Sequence, residues 1–277
     1  MTPARELAEF LRTRRARLKP AELGLPVTAR RRVDGLRRDE VAQLAGVSVE
    51  YYIRLEQGRG GHPSDAILDS VASALRLGSA ERDHLFHLAR PRRTRSQAAP
   101  AQVRPAIAEL VAAMPQPVVI VDRRLDVLGR NPLAEAVFGG VHEQTPYAAN
   151  CAANTFLEPT MRHFFAEWEQ VAQDVVALLR RLTGQFPDDV EVTALIDALL
   201  AHSADFRRMW AAHDIRQKLH GQKRLRHPLA GEFTLHYEIL TLPDDPGISL
   251  TVYTVGQDDL AQAALELLAE RDGMPAV

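Results

Sequence analysis

Residues 36–58 read Leu-Arg-Arg-Asp-Glu-Val-Ala-Gln-Leu-Ala-Gly-Val-Ser-Val-Glu-Tyr-Tyr-Ile-Arg-Leu-Glu-Gln-Gly. The stretch contains two short amphipathic patterns that meet at Gly46, where a sharp turn needs the positive φ that glycine tolerates. In the first pattern, Val41, Leu44 and Ala45 recur on one face, as helical periodicity requires. Ser48 can accept a hydrogen bond from the free N–H groups that open the second pattern. The spacing predicts a helix-turn-helix, a motif whose second helix enters the major groove of DNA.

An ordinary α-hairpin in an all-helical core is the alternative interpretation of this stretch. The helix-turn-helix is favoured because a small residue, Ala42, stands where the two helices would cross, and the glycine and serine fall at the required offsets. The segment also resembles the Cro/repressor-type (XRE) helix-turn-helix family. That resemblance lies in the Gly46-Val47-Ser48 turn and in the Arg54-Leu55-Glu56-Gln57-Gly58 end.

Charge is divided unequally along the 277 residues. Residues 1–95 hold 19 Lys and Arg against 12 Asp and Glu, a net charge of +7, whereas the remainder holds 15 against 24, a net charge of −9. A basic segment suits binding to a polyanion through phosphate contacts and counterion release. The acidic remainder would be repelled by DNA, so we expect it to serve a different purpose.

The length and the composition, 46% apolar and 25% charged, predict two globular domains. No run of about 18 apolar residues could span a membrane, and Arg5, Arg12 and Arg14 interrupt any apolar core of a signal peptide. The lone cysteine, Cys151, excludes an intrachain disulfide and a cysteine-based zinc site. These features together predict a cytoplasmic protein.

We expect an all-α, five-helix helix-turn-helix domain over residues 1–90, a linker over 91–104, and an α+β domain with an antiparallel sheet over 105–277. In the first domain, helices are predicted at about 3–18, 38–45 and 49–57 and after the candidate caps Ser64 and Ser79. In the second, strands are predicted at 118–122, 125–129, 231–242 and 248–255, the last two forming a pair. Further helices are predicted at 105–114, from Pro132, and at about 159–183, 188–202, 204–213 and 258–270.

Several short stretches of the second domain carry a further resemblance: Asn131-Pro132, Trp168, 175–180, 203–214, His227-Pro228 and 235–238. They resemble the ligand-binding domain of MmyB-like transcription regulators, a family that joins an XRE-type domain to this second one. The resemblance implies a PAS-like fold and a small hydrophobic or fatty-acid-like effector. Where the family usually has an arginine in an Asn-Leu-x-Arg-x-x-Phe motif, this chain reads Asn150-Cys151-Ala152-Ala153-Asn154-Thr155-Phe156. We therefore expect the anion contact of that arginine to be lost.

The candidates for contact with double-stranded DNA are Arg37, Arg38, Ser48, Val49, Glu50, Arg54 and Arg59. Early residues of a recognition helix reach base edges, where Glu50 can accept from a cytosine N4 and Arg54 can pair with guanine or phosphate. Arg38 starts the preceding helix, and Arg37 and Arg59 flank the motif, where phosphate contacts are expected. The alternative for each arginine is a solvated surface charge.

Glu56, near the end of the same helix, is expected to have a structural role. Its position suits an ion pair with Arg14 or Arg15 of the first helix. For this reason it is not a candidate for contact with DNA.

Ligand contacts are expected from Trp210 and His213, which stand three residues apart and therefore share a helix face. An indole wall with an imidazole donor suits an amphiphilic ligand with an apolar body and a polar head. The alternative is that the two side chains belong to the core and its rim. Asn131, Trp168 and Tyr237 are further candidates for ligand contact.

Motifs of enzymes and metal sites are missing from the sequence. There is no phosphate-binding loop, Gly-x-Ser-x-Gly elbow or His-Glu-x-x-His motif, and Gly221 and Pro228 break any helix through His213, His220 and His227. We therefore predict no catalysis, no metal and no cofactor. The first hypothesis is a homodimeric, ligand-responsive regulator that binds pseudo-palindromic DNA. The alternative is an enzyme or small-molecule carrier whose helical domain serves protein interaction, which the charge division disfavours.

Overall fold

The computed structural model describes residues 3–25, 33, 35–61, 63–90, 102–139, 149–186, 189–212, 219–245 and 247–271. The chain forms two compact units. The first comprises residues 1–96, 177–193 and 209–217, and the second comprises residues 97–176, 194–208 and 218–277. The bounds of the two expected domains stay a prediction, and residues 91–101 of the expected linker lie outside the described residues. Within the described ranges, no helix is both long and apolar enough to cross a membrane.

Five α-helices open the chain: α1 (Pro3–Arg17), α2 (Arg38–Ala45), α3 (Val49–Glu56), α4 (Asp65–Ala74) and α5 (Ser79–Ala89). All five were expected from the sequence, and a short 3-10 helix, Pro20–Leu23, lies in the loop after α1. One apolar core joins them, with the side chains of Phe10, Tyr52, Leu68 and Leu85 fully buried in it. The predicted all-α N-terminal region is therefore confirmed.

The buried face of α2 differs from the predicted one. Leu44 is 40% exposed, whereas Val41 and Ala45 are buried as predicted, and Ala42, which was expected at the helix crossing, is buried beside them. Successive residues of an α-helix are about 100° apart, so Val41, Ala42 and Ala45 cover one continuous arc that leaves Leu44 outside. The prediction that Leu44 belongs to the buried face is wrong.

The caps of α4 and α5 also differ from each other. Ser64 caps α4 as predicted, because its Oγ accepts the N–H of Ile67 at 3.4 Å. Ser79 does not cap α5: it is the first helical residue, and Gly78 precedes it as the N-cap. There the Glu81 carboxylate accepts the N–H of Gly78 at 3.0 Å, which satisfies one of the free donors at the helix start.

A five-stranded antiparallel sheet forms the centre of the second unit. Its strands are β1 (Val118–Asp122), β2 (Val127–Arg130), β3 (His220–His227), β4 (Gly231–Thr241) and β5 (Ile248–Thr254), in the order β2-β1-β5-β4-β3. The predicted pair of the last two strands is confirmed, with Tyr237 opposite Tyr253. Strand β3 was not predicted. It forms the edge of the sheet beside β4, and most of its residues are polar.

The described part of the chain contains eight further helices. They are α6 (Pro105–Ala113), α7 (Pro132–Phe138), α8 (Cys151–Leu157), α9 (Met161–Phe164), α10 (Trp168–Gln185), α11 (Val190–His202), α12 (Ala204–Ala211) and α13 (Asp259–Arg271). Helix α8 was not predicted, and the long helix expected at 159–183 is divided into α9 and α10. The predicted α+β class is confirmed.

The two faces of the sheet bury different side chains. Ile120 and Val252 lie in an aliphatic cluster with Val111 of α6. Because neighbouring residues of a strand point to opposite faces, Tyr253 lies on the other side, where its ring stands 4.9 Å from that of Phe138. This second face also carries Tyr237, whose ring centroid lies 6.3 Å from that of Tyr253.

Candidate DNA-binding surface and ligand cavity

The turn between α2 and α3 has the backbone that the sequence predicts. Gly46 ends α2 with a φ of 66°, and the N–H of Val47 donates to the carbonyl of Ala42 at 3.0 Å. Ser48 caps α3, since its Oγ accepts the N–H of Tyr51 at 3.1 Å. These bonds fix the first turn of α3, which is the part of a recognition helix that reaches base edges.

Most of the residues expected to contact DNA are exposed. The exposed ones are Arg37, Arg38, Ser48, Glu50, Arg54 and Arg59. Val49 is partly buried and packs against the helical core. Exposure is a requirement for contact with DNA, and the contacts themselves stay predictions.

Glu56 lies at the centre of an ion-pair cluster. Its side chain is buried, and its carboxylate accepts from Arg15 Nε at 2.7 Å and from Arg38 Nε at 2.8 Å. The expected pairing with Arg14 or Arg15 is confirmed for Arg15, whereas Arg14 pairs with Glu81 at 2.8 Å. Burial raises the pKa of Glu56, but the two guanidinium groups outweigh burial, so the pKa is lowered from its usual value.

Arg38 belongs to this cluster and still faces solvent. Its side chain is 46% exposed, against 13% for that of Arg15. Because one carboxylate faces two guanidinium groups, the cluster retains positive charge. The bond from Arg38 Nε to Glu56 restrains the guanidinium, and the planar group keeps further N–H donors for a phosphate or a base.

Arg54 and Arg59 place two more positive charges at α3. The guanidinium of Arg54 lies 5.9 Å from the centroid of the Tyr51 ring, and Arg59 follows Gly58, whose φ is 71°. Neither arginine forms an ion pair with a carboxylate of the described residues. Their charge therefore remains available to an external anion.

Two residues expected to contact a ligand have their polar groups engaged within the second unit. The Asn131 Oδ1 accepts the N–H groups of Val118 and Ala134, each at 3.0 Å, which caps α7 and ties it to β1. The Trp168 Nε1 donates to the carbonyl of Thr155 at 2.9 Å. These bonds position the chain around α7 and α10, and neither Asn131 nor Trp168 is among the residues that line the cavity beside Tyr237.

Trp210 lies in the first unit and is 6% exposed. The guanidinium of Arg180 stacks 4.0 Å from the centroid of its ring and donates to its carbonyl. Arg180 is fully buried and also pairs with Glu6 at 3.1 Å. His213, the expected partner of Trp210 in ligand contact, lies outside the described residues.

Tyr237 is the expected ligand residue that does line a cavity. The cavity lies in the second unit, has a volume of about 370 Å³, and falls at the small end of the usual range for ligand sites. Its lining residues are Glu167, Gln170, Val171, Asp174, Gln222, Lys223, Arg224, Thr234 and Tyr237. The start of α10 thus forms one wall, and strands β3 and β4 form the other.

Lys223 is the lining residue of greatest chemical interest, and it was not a candidate from the sequence. Its Nζ donates to the Tyr253 hydroxyl at 3.3 Å. The sequence does contain a pattern that could have identified it, because Lys223, Leu225 and His227 alternate with outward residues in β3. That pattern is weak, since two of the three inward side chains are polar.

The histidines of this unit do not form a metal centre in the part of the chain that is described. No three His, Cys, Asp or Glu side chains there are grouped to hold a metal ion. His227 instead accepts the N–H groups of Leu229 and Ala230 at its Nδ1, each at 3.2 Å. Burial lowers its pKa, which fits a neutral ring within the turn between β3 and β4.

Two family models match this chain. The model described as MmyB-like transcription regulator ligand binding domain matches residues 103–268, and the one described as helix-turn-helix domain matches residues 6–85. The first match covers more than half of the chain. A comparison with curated proteins finds no match.

Proposed function

The chain belongs to the MmyB-like transcription regulators, and on this premise we propose that it is a sequence-specific regulator whose C-terminal domain senses a small hydrophobic or fatty-acid-like ligand. Its helix-turn-helix and ligand-binding domains make it a DNA-binding transcription regulator with a ligand-binding domain. The observation that carries the proposal is the exposed arginine-rich surface around α3, whose start is fixed by Gly46 and Ser48.

The residues of this surface differ in the part of the DNA that each contacts. Glu50 and Arg54, on the exposed face of α3, reach base edges. Arg37 and Arg59 contact phosphates on either side of the motif. Arg38, restrained by Glu56, contacts the backbone or an outer base. Ser48 and Val49 stand at the start of α3, where the helix enters the groove.

The ligand acts by shifting a population of states. An effector changes affinity for DNA only when it binds two states of the regulator with different affinities. Helix-turn-helix proteins bind pseudo-palindromic sites as dimers, so a cytoplasmic homodimer is the working assembly. The cavity beside Tyr237 supports an amphiphilic ligand, because Val171 and the tyrosine ring stand among polar side chains there.

A mobility-shift assay with DNA from upstream of the protein's own operon tests the DNA-binding part. Arg38→Ala and Arg54→Ala are each expected to weaken binding by about ten-fold or more, because each removes a charged contact. Arg5→Ala is the matched control, since Arg5 is exposed, lies outside the helix-turn-helix motif and pairs with Glu9 in the same helix. Failure of the wild type to bind at low salt, or equal binding by all variants, contradicts the proposal.

Native mass spectrometry of the protein as purified tests the ligand-sensing part separately. A retained apolar or amphiphilic molecule is the expected result. Ligand sensing is contradicted if the protein retains no molecule and no amphiphile changes its affinity for DNA. DNA binding is judged separately, by the mobility shift alone.

A further inference from the structure

Lys223 is one of the residues that line the cavity in the second unit. The residue is half-buried, whereas its neighbours Gln222 and Arg224 are exposed and Leu225 is fully buried. This alternation turns Lys223 and Leu225 toward the same face of the sheet. Lys223 pairs with Leu235 of β4, two residues from Tyr237 on that face. The fold therefore directs a cation toward the aromatic side of the sheet.

Three aromatic rings surround this ammonium. Its Nζ lies 5.0 Å from the ring centroid of Tyr237, 5.5 Å from that of Tyr253 and 5.8 Å from that of Phe165. Phe165 is held beside β3 by a bridge to Leu225. Contacts with ring faces stabilise a cation that has lost part of its hydration shell. The rings thus keep the amino group at the cavity without neutralising it.

Lys223 has no acidic partner among the described residues. Burial lowers its pKa, but the phenol groups of Tyr253 and Tyr237 outweigh burial, so the pKa is raised from its usual value. Burial raises the pKa of the nearby Cys151 thiol, so that group stays neutral and supplies no counter-charge. An ammonium group in these surroundings gains a charge-assisted hydrogen bond when an external anion binds.

The other charges of the lining favour a singly charged anion. Glu167 and Asp174 stand on the opposite wall. Glu167 is paired with Arg224 at 2.6 Å, and Asp174 accepts from Gln170 at 2.9 Å. Two carboxylates in one small cavity would repel a phosphate dianion more strongly than a carboxylate. The cavity volume of about 370 Å³ suits one small molecule.

We propose that Lys223, positioned by its hydrogen bond to the Tyr253 hydroxyl, forms the head-group site of the ligand and binds the carboxylate of a small amphiphilic acid. This inference rests on the proposed function, because it specifies the polar group of the ligand that the second domain senses.

Isothermal titration of the full chain with octanoate and 1-octanol tests the head-group site. The two probes share an alkyl chain and differ in the charge of the head group, and retained ligand is first removed on a hydrophobic resin. Wild type is expected to bind octanoate about ten-fold more tightly than 1-octanol, or better, because a hydrogen bond to a charged group is among the stronger ones. Lys223→Met is expected to lose this preference and to keep its affinity for 1-octanol.

Two further variants protect the test against a folding defect. Lys223→Arg retains the positive charge and is expected to retain a preference for octanoate. Lys19→Met makes the same change at an exposed lysine of the first unit and is expected to match wild type. Thermal unfolding of each variant shows whether the fold is intact. Lys223→Met is expected to have the same Tm as wild type.

Equal affinity of wild type for the acid and the alcohol, or an unchanged preference in Lys223→Met, overturns the head-group site. Absence of octanoate binding to wild type overturns it as well. In the first two cases the cavity still binds an amphiphile, so ligand sensing stands. If wild type binds no octanoate, the proposed function is judged by two other measurements. Native mass spectrometry tests ligand sensing, and the mobility shift tests DNA binding.

Discussion

At the scale of single residues, the carboxylate of Glu56 holds Arg15 and Arg38 together. Its pKa is lowered on folding, so its charge stabilises the folded protein above its unfolded pKa, and the stabilisation is lost as pH falls through the lowered folded value. Glu56→Gln is therefore expected to reduce the free energy of unfolding by roughly 3 kcal/mol at neutral pH. The reduction should be much smaller below the folded pKa. Urea denaturation at both pH values measures the difference.

The control for this prediction is Glu50→Gln, on the same helix. Glu50 is exposed, and a substitution at such a position is expected to change the free energy of unfolding by less than about 0.5 kcal/mol. A loss in Glu56→Gln that is the same at both pH values would mean that the amide disturbs packing rather than charge.

At the scale of elements, two glycines with positive φ end the helices of the motif and differ in the space around them. A Cβ at Gly46 would meet no heavy atom within 4 Å, whereas one at Gly58 would lie 2.3 Å from the carbonyl oxygen of Ala4. Gly46→Ala is expected to cost about 1–2 kcal/mol from left-handed strain alone. Gly58→Ala should cost clearly more, because the backbone of α1 must also move. Thermal unfolding of the two variants compares them, and equal losses in Tm would contradict the role of Ala4.

The elements that could be predicted are those whose apolar residues recur with a clear period. Strand β1, Val118–Asp122, is buried along its whole length and was found at its observed bounds. Ser48 and Ser64 were identified as caps because a hydroxyl before an apolar run satisfies the free donors of a helix start. Periodicity fails where two faces compete for a short helix, as in α2, where Ala42 rather than Leu44 is buried.

The elements and site residues that could not be predicted depend on contacts made far along the chain. Strand β3 is polar along most of its length and is stabilised by its antiparallel pairing with β4. Strand alternation turns Lys223 to the inner face of β3, and the rings of Phe165, Tyr237 and Tyr253 stabilise its charge there. Such a cluster joins residues that are distant in sequence, and the local alternation of Lys223, Leu225 and His227 in β3 is too weak a pattern to predict it.

At the scale of the whole molecule, a basic segment of net charge +7 is followed by an acidic one of net charge −9. The basic segment carries the family match to a helix-turn-helix domain, and the acidic segment contains the matched ligand-binding domain. An acidic segment adds nothing to the attraction of DNA, so the salt dependence of binding should report the arginines of the first segment alone.

The salt dependence of DNA binding therefore separates the two kinds of arginine contact. Each phosphate contact contributes about 0.9 to the slope of log affinity against log salt concentration. Arg59→Ala is expected to reduce that slope by about this amount and to weaken binding to all sequences alike, whereas Arg54→Ala should reduce the preference for the operator over a scrambled duplex. Fluorescence anisotropy with both duplexes at several salt concentrations measures both quantities. If Arg59→Ala leaves the slope unchanged and removes the preference for the operator, Arg59 contacts base edges rather than a phosphate, because only a contact with base edges distinguishes one sequence from another.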